Sequence, residues 1–126
     1  MKKKNYISVA KDVINLELEG LKKLKKNINS SFNNAVIQIT KCQSKVILCG
    51  VGKSGIIASK IAATLASVGT PSFYLSASEA SHGDLGMISK KDILLIISNS
   101  GETAELKNII QFANRNKILL IGIVSK

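Results

Sequence analysis

The sequence predicts an α/β protein in which helices cover both faces of a parallel sheet, giving three layers preceded by N-terminal helices. Three observations support this fold class: four short aliphatic runs, longer helical segments between them, and glycine- or serine-rich loops directly after two of the runs. With 126 residues and 45% apolar content, the chain can close one core. We therefore expect a single domain, with N-terminal helices over 1–44 that pack on a sheet domain over 45–126.

Two N-terminal helices are predicted before the sheet. Between Tyr6 and Ile28, apolar residues recur at three-, four- and seven-residue steps and share one helical face. They are Ile7, Ala10, Ile14, Leu21, Leu24 and Ile28. Such a face packs on a core or on another copy, which favours a homo-oligomer. A second helix is predicted to begin after Ser30 or Ser31, either of which can cap it, and to run to about Cys42.

Four continuous aliphatic runs predict buried parallel strands, because strands covered on both faces do not alternate polar and apolar residues. The runs are Val46–Cys49, Ser72–Leu75, Ile93–Ser98 and Ile118–Val124. A helix beginning near Ser54 is predicted to end at Gly69, where glycine caps it and Pro71 prevents continuation. Alternating strands and helices predict right-handed crossovers and a doubly wound sheet.

The charge pattern favours small anionic partners over nucleic acid. The formal charge is +10, but residues 1–45 hold +7 of it and residues 46–126 hold +3. With three Phe, two Tyr and no Trp, the basic residues are not interleaved with aromatic rings that could stack on bases. No run approaches the roughly 18 to 20 apolar residues of a membrane span. We predict a soluble, cytoplasmic protein with neither nucleic-acid nor membrane partners.

The cysteine and histidine content argues against a metal centre. Cys42 and Cys49 are seven residues apart, without a CxxC spacing, and the chain has one histidine. Neither a disulfide nor a zinc site is predicted, no cofactor is expected, and Cys49 is interpreted as a small buried hydrophobe.

The first chemically informative loop, GVGKSG at residues 50–55, lies between a predicted strand and a predicted helix. Its glycines allow close backbone approach, and the helix that follows offers free N–H groups to an anion. It satisfies GxGxxG, so dinucleotide binding stays an alternative, although Glu79 is the only candidate for the expected acidic residue and lies past the second strand. A nucleotide-triphosphatase P-loop is excluded, because it needs glycine at Ile47.

The second loop, SNSGET at residues 98–103, also connects a predicted strand to a predicted helix. Three hydroxyls and one amide can donate hydrogen bonds from it: Ser98, Asn99, Ser100 and Thr103. A helix cap explains one of these residues but not four. Both loops follow the carboxyl ends of predicted neighbouring strands, where open α/β sheets bind ligands, so they are expected to hold one phosphate together.

These two loops resemble the signature loops of the sugar isomerase (SIS) domain superfamily. Residues 50–88, GVGKSGIIASKIAATLASVGTPSFYLSASEASHGDLGMI, closely resemble its D-arabinose 5-phosphate isomerase family. The resemblance implies a flavodoxin-like sheet and interconversion of D-ribulose 5-phosphate and D-arabinose 5-phosphate, the first step toward the Kdo sugar of lipopolysaccharide.

The resemblance also assigns site residues. It implies that Ser54, Ser98, Ser100 and Thr103 bind the substrate phosphate, and with them we group Gly52 and Asn99. Lys53, His82 and Glu105 would be catalytic. Lys53 is expected to stabilise negative charge, and His82 to open the sugar ring or relay protons. Glu105 equally fits a dipole-stabilising residue in the first helical turn.

Typical members of the family extend further than this sequence. Their SIS domain continues past the position of Lys126, and a pair of CBS domains follows it. We therefore expect an incomplete SIS domain, truncated after the fourth strand. If the catalytic base comes from the remainder, the chain would instead be a non-catalytic phosphosugar-binding module.

Overall fold

The computed structural model describes residues 3, 5–80, 83–100 and 103–125. The chain forms two compact units, Met1–Val36 and Ile37–Lys126. The first contains helix α1 (Tyr6–Asn27) and the beginning of helix α2 (Ser30–Lys41). The second contains the end of α2 and the α/β domain. That the helices over 1–44 pack on the domain stays a prediction.

Asparagine side chains cap the first two helices. Asn5 Oδ1 accepts hydrogen bonds from the backbone N–H groups of Ile7 at 3.1 Å and Ser8 at 3.3 Å. Asn29 Oδ1 accepts one from the N–H of Ser31 at 2.9 Å. The prediction that Ser30 or Ser31 caps α2 is therefore wrong, because Ser30 is already helical and Asn29 supplies the oxygen.

The sheet has four parallel strands in the order β2-β1-β3-β4. They are β1 (Val46–Gly50), β2 (Ser72–Ser76), β3 (Ile93–Ser98) and β4 (Leu119–Val124). Helix α3 (Lys53–Ser67) connects β1 to β2, and α5 (Ala104–Arg115) connects β3 to β4. Between β2 and β3 lie a short helix, α4 (Ala77–Ala80), and a 3₁₀ turn (Asp84–Met87). The predicted α/β fold class is confirmed.

The two central strands are buried on both faces of the sheet. One face packs against α3, mainly through its alanines. Its core contains Val46, Leu48, Ile93, Leu95, Ala58 and Ala62. The other face packs against α4 and α5. Its core includes Ile47, Cys49, Leu94, Ile96, Ala77, Leu106 and Ile109. Burial on both sides explains why β1 and β3 are aliphatic without alternation.

The free cysteines behave as the sequence suggests. Cys49 is buried in the core, and burial raises the pKa of its thiol to about 11, against a weaker lowering by a hydrogen bond from the Gly50 backbone. The interpretation of Cys49 as a buried hydrophobe is confirmed. Cys42 is half-buried, and neither cysteine forms a disulfide.

Strand β4 lies at an edge of the described sheet and is much more exposed than predicted. It pairs with β3 alone among the described strands. Leu119, Ile123 and Val124 are 41%, 51% and 49% exposed. The prediction of a buried strand over Ile118–Val124 is therefore wrong for most of its length, although Ile118, just before β4, is 5% exposed.

A buried aspartate links the amino ends of the two central strands through hydrogen bonds. Asp92, 1% exposed, accepts hydrogen bonds from the Ser44 hydroxyl, the Ser89 N–H at 2.7 Å and Lys45 Nζ at 2.9 Å. Ser44 and Lys45 precede β1, whereas Asp92 precedes β3. Their network joins the segments that lead into the two strands. It lies at the amino ends of these strands, whereas the predicted site follows their carboxyl ends.

Candidate functional site

A cavity of about 250 Å³ lies at the carboxyl ends of β1 and β3. The two strands are neighbours, and Gly50 at the end of β1 is paired with Ile97 of β3. Most of its lining residues are polar. The lining residues are Val51, Ser54, Ile97, Ser98, Asn99, Ser100 and Thr103. The structure thus brings together all five side chains that the sequence predicts for phosphate binding.

The first loop presents the amino end of α3 to this cavity. Gly52 occupies the N-cap position with φ +61°, a left-handed conformation that favours glycine, and its carbonyl accepts the first helical hydrogen bond, from Ile56 N–H at 3.2 Å. The amides of Lys53, Ser54 and Gly55 therefore precede the helical hydrogen-bond ladder. Together with the positive end of the helix dipole, they suit an anion.

The second loop places two hydroxyls side by side. Ser98 is 4% exposed at the end of β3, and its Oγ lies 3.2 Å from Thr103 Oγ1. Thr103 occupies the N-cap position of α5 but forms no side-chain capping hydrogen bond. The side chain of Thr103 therefore does not cap α5, so the alternative that Ser100 or Thr103 merely caps this helix is wrong for Thr103. Its hydroxyl is directed to Ser98, in the wall of the cavity.

Asn99 is held by a residue that the sequence does not single out. Ser125 follows β4, and its hydroxyl donates to Asn99 Oδ1 at 2.6 Å and also contacts the Asn99 carbonyl oxygen. The Ser125 N–H lies 3.3 Å from that same carbonyl oxygen. Because Ser125 occupies the acceptor end of the side-chain amide, the NH₂ group is the end that suits an anion. A serine after a strand carries no sequence signal for this role.

Comparison with known proteins identifies the family of this domain. The family model for the SIS domain matches residues 38–126. The chain belongs to the SIS domain family. Its α/β unit begins at Ile37, almost where this match begins.

Relatives of this SIS domain include sugar-phosphate isomerases. The chain is 50% identical over 117 residues to an arabinose 5-phosphate isomerase of Yersinia pestis, covering 93% of this chain and 36% of that protein. It is 42% identical over 124 residues to one of Francisella tularensis, covering 96% of this chain and 38% of that protein. The chain thus spans little more than a third of the length of either relative.

A solved structure resembles this SIS domain over its full length. The Escherichia coli CFT073 protein c3406 in complex with arabinose 5-phosphate is 42% identical, with a TM-score of 0.91. The likeness covers 100% of this chain and 67% of that one. The resemblance to the SIS superfamily and its arabinose 5-phosphate isomerases, which the two loops and residues 50–88 suggested, is confirmed.

The predicted catalytic residues of the SIS domain lie outside the cavity wall or outside the described residues. Lys53 is the exposed first residue of α3, next to Ser54. Glu105 is exposed in the first turn of α5, where a carboxylate also complements the helix dipole. Neither lines the cavity. His82 lies outside the described residues. The catalytic roles of all three stay predictions.

The described cavity offers hydrogen-bond donors that suit an anion. Hydroxyls, one amide and helix amino ends supply donors. Among residues 3, 5–80, 83–100 and 103–125, no group of three or more His, Cys, Asp or Glu residues could hold a metal ion. Within the same ranges, every helix is too short or too polar to cross a membrane.

Proposed function

We propose that this SIS domain binds the phosphate of a pentose phosphate between β1 and β3, within an enzyme that interconverts D-ribulose 5-phosphate and D-arabinose 5-phosphate. The observation that carries the proposal is the cavity, because five predicted phosphate ligands from two distant loops meet there. The names of the relatives and the arabinose 5-phosphate complex of a similar protein support the choice of sugar.

A phosphomonoester matches the donors of the cavity. It carries about two negative charges near neutral pH and three terminal oxygens that accept strong hydrogen bonds. Ser98, Ser100 and Thr103 supply hydroxyls on one side, and Ser54 supplies one on the other. The amino ends of α3 and α5 add backbone donors and a favourable dipole.

The proposed reaction moves one proton between carbons 1 and 2 of the open-chain sugar. A base removes the proton from one carbon, an enediolate forms, and the proton returns to the other carbon, while a hydroxyl proton passes from one of the two oxygens to the other. We propose Lys53 as the group that stabilises negative charge on the enediolate oxygen. His82 is proposed to open the sugar ring or relay protons, and Glu105 is the candidate carboxylate base.

A non-catalytic phosphosugar-binding module is the second candidate. One observation favours it: the described wall of the cavity contains hydroxyls, an amide and aliphatic groups, but no titratable side chain. A domain of this composition can bind a phosphate without removing a proton from carbon. A base would then come from residues outside that wall.

A turnover assay distinguishes the two candidates. The protein is incubated with D-ribulose 5-phosphate, and D-arabinose 5-phosphate is measured against time. We expect turnover that falls at least about a hundredfold in Lys53→Ala and in His82→Ala, in keeping with the loss of a charge-stabilising or proton-transferring group. Lys60→Ala, at an exposed position of α3, is the matched control. Saturable binding without turnover would favour the non-catalytic module.

The proposal extends to the setting of the reaction. We propose that the product serves synthesis of the Kdo sugar of lipopolysaccharide, that the protein acts in the cytoplasm, and that it works as a homo-oligomer. Its partner is a sugar phosphate rather than nucleic acid or a membrane.

A further inference from the structure

A tyrosine of the edge strand β2 contacts the end of β1. Tyr74 is paired with Leu48 in the parallel register, and its side chain extends beyond that pair along the sheet. Its half-buried hydroxyl donates a hydrogen bond to the carbonyl oxygen of Gly50 at 3.1 Å. Gly50 is the last residue of β1 and the first of the loop that leads to Ser54.

The same hydroxyl limits the approach of α3. A Cβ atom on Gly55 would lie 2.6 Å from the Tyr74 hydroxyl oxygen and 3.0 Å from the Gly50 carbonyl oxygen. A Cβ atom on Gly50 would lie 2.8 Å from the carbonyl carbon of Ser54. The contacts of 2.6 and 2.8 Å are too short for real side chains. The end of β1, the first turn of α3 and the phenol group are thus packed without spare room.

This packing requires glycine at two positions of the loop, independently of any contact with a ligand. Gly50 and Gly55 let the backbone of α3 reach the end of β1, and Ser54 lies between them on the side of the cavity. A shift of this turn would move the Ser54 hydroxyl and the helix amides together, because all of them belong to the first turn of α3.

We infer that Tyr74 is a positioning residue for phosphate binding, which fixes the first turn of α3 against Gly50 and thereby sets the position of Ser54 in the cavity. The inference rests on the proposed function. It assigns to β2, which contributes no residue to the described cavity wall, a role in the geometry of that wall.

The chemical state of the phenol suits this role. Burial raises the pKa of Tyr74 above its ordinary value, nearby Cys49 and Glu79 add to this rise, and Ser76 opposes it. The group therefore stays protonated near neutral pH and remains a donor toward the Gly50 carbonyl. Phenylalanine would keep the ring but remove both the donor and the atom that limits the approach of Gly55.

Sugar-phosphate binding by four proteins and one control variant tests the inference. Affinity for D-arabinose 5-phosphate is measured by calorimetry, with thermal unfolding alongside, for the unmodified chain, Tyr74→Phe, Gly55→Ala and the double variant. Tyr6→Phe, which changes the 73% exposed tyrosine of α1, is the matched control. Tyr74→Phe is expected to weaken binding about fivefold, the equivalent of one ordinary hydrogen bond. Tyr6→Phe should leave affinity unchanged.

The double variant separates positioning from general stability. Gly55→Ala should weaken binding more than Tyr74→Phe does, and adding Tyr74→Phe should restore part of the loss, because it removes the atom 2.6 Å from the new methyl group. Unchanged affinity in Tyr74→Phe, with or without a lower melting temperature, would overturn the inference. If the unmodified chain does not bind the sugar phosphate, the proposed function fails instead.

Discussion

The hydroxyl oxygens of Ser98 and Thr103 lie 3.2 Å apart, although five positions separate the two residues in the sequence. The contact joins the last residue of β3 to the N-cap position of α5. Two hydroxyls at this distance can each turn a lone pair or a proton toward a third group. A phosphate oxygen in the cavity would complete this arrangement.

Removing either hydroxyl should weaken phosphate binding. We expect Ser98→Ala and Thr103→Ala each to lose roughly tenfold or more in affinity, since hydrogen bonds to charged groups contribute about 1.5–3 kcal/mol. Thr103→Ser retains the hydroxyl and should bind nearly normally. Ser67→Ala, near the end of α3, removes a hydroxyl that donates to the Thr64 carbonyl and is the control. Calorimetry with D-arabinose 5-phosphate measures all four. Normal binding by both alanine variants would exclude these hydroxyls as ligands.

Ser125 is expected to affect binding indirectly, through Asn99. In Ser125→Ala, the Asn99 amide loses its hydroxyl partner at 2.6 Å and can rotate. We predict a loss of about two- to fivefold in phosphate affinity, and a larger loss in Asn99→Ala. In the double variant the Ser125 change should add little further, because the side-chain amide that the Ser125 hydroxyl orients is already absent. Fully additive losses would show that the two residues act independently.

Asp92 should make stability depend on acid pH. Burial alone would raise its pKa, but hydrogen bonds from Ser44, the Ser89 backbone and Lys45 outweigh burial and hold the pKa at about 2, below the ordinary 3.8. The folded state thus binds the proton less readily than the unfolded state. Its contribution, about 2 kcal/mol, is present above pH 4 and lost as the pH falls toward 2.

Denaturant unfolding at pH 7, 4, 3 and 2 measures this contribution. Asp92→Asn should lose stability at pH 7 and show a weaker pH dependence below 4. Asp12→Asn, at an exposed position of α1, should follow the unmodified protein. Parallel pH profiles for Asp92→Asn and the unmodified protein would contradict the assignment.

The apolar face of α1 is expected to mediate self-association. Ile14 and Leu21 of this helix are 59% and 61% exposed. Ile14→Asp combined with Leu21→Asp should lower the molar mass measured by light scattering, whereas Lys11→Asp, at another exposed position of this helix, should not. An unchanged mass in the double variant would exclude this face as the interface.

The sequence was sufficient to predict those elements that are determined by residues close together in the chain. Strand Ile93–Ser98 is found as predicted, since continuous burial produces a continuous aliphatic run. The end of α3 was also predictable, because Gly69 adopts a left-handed φ of +96° just past it. Four of the five phosphate-binding candidates could be identified because their donors cluster in the second loop, whereas Ser54 was assigned by the resemblance to the SIS superfamily.

Features that depend on contacts between distant segments could not be predicted from the sequence. In the sequence, Tyr74 cannot be distinguished from any other strand residue. Only the pairing of β2 with β1 brings its hydroxyl to Gly50. Ser125 reaches Asn99 only because β4 pairs with β3. The exposure of β4 follows from its edge position, which an aliphatic run does not reveal.

A single phosphate held by both loops is the central expectation for this domain, and a nuclear magnetic resonance titration tests it. D-Arabinose 5-phosphate is added to the ¹⁵N-labelled protein while backbone amide signals are followed. We predict saturable shifts, with one dissociation constant, for Ser54 of the first loop and Ser100 of the second. The amide signal of Ser44, which lies at the opposite end of β1 from the cavity, should not shift. Unmoved signals of Ser54 and Ser100 in a well-folded sample would contradict the shared phosphate site.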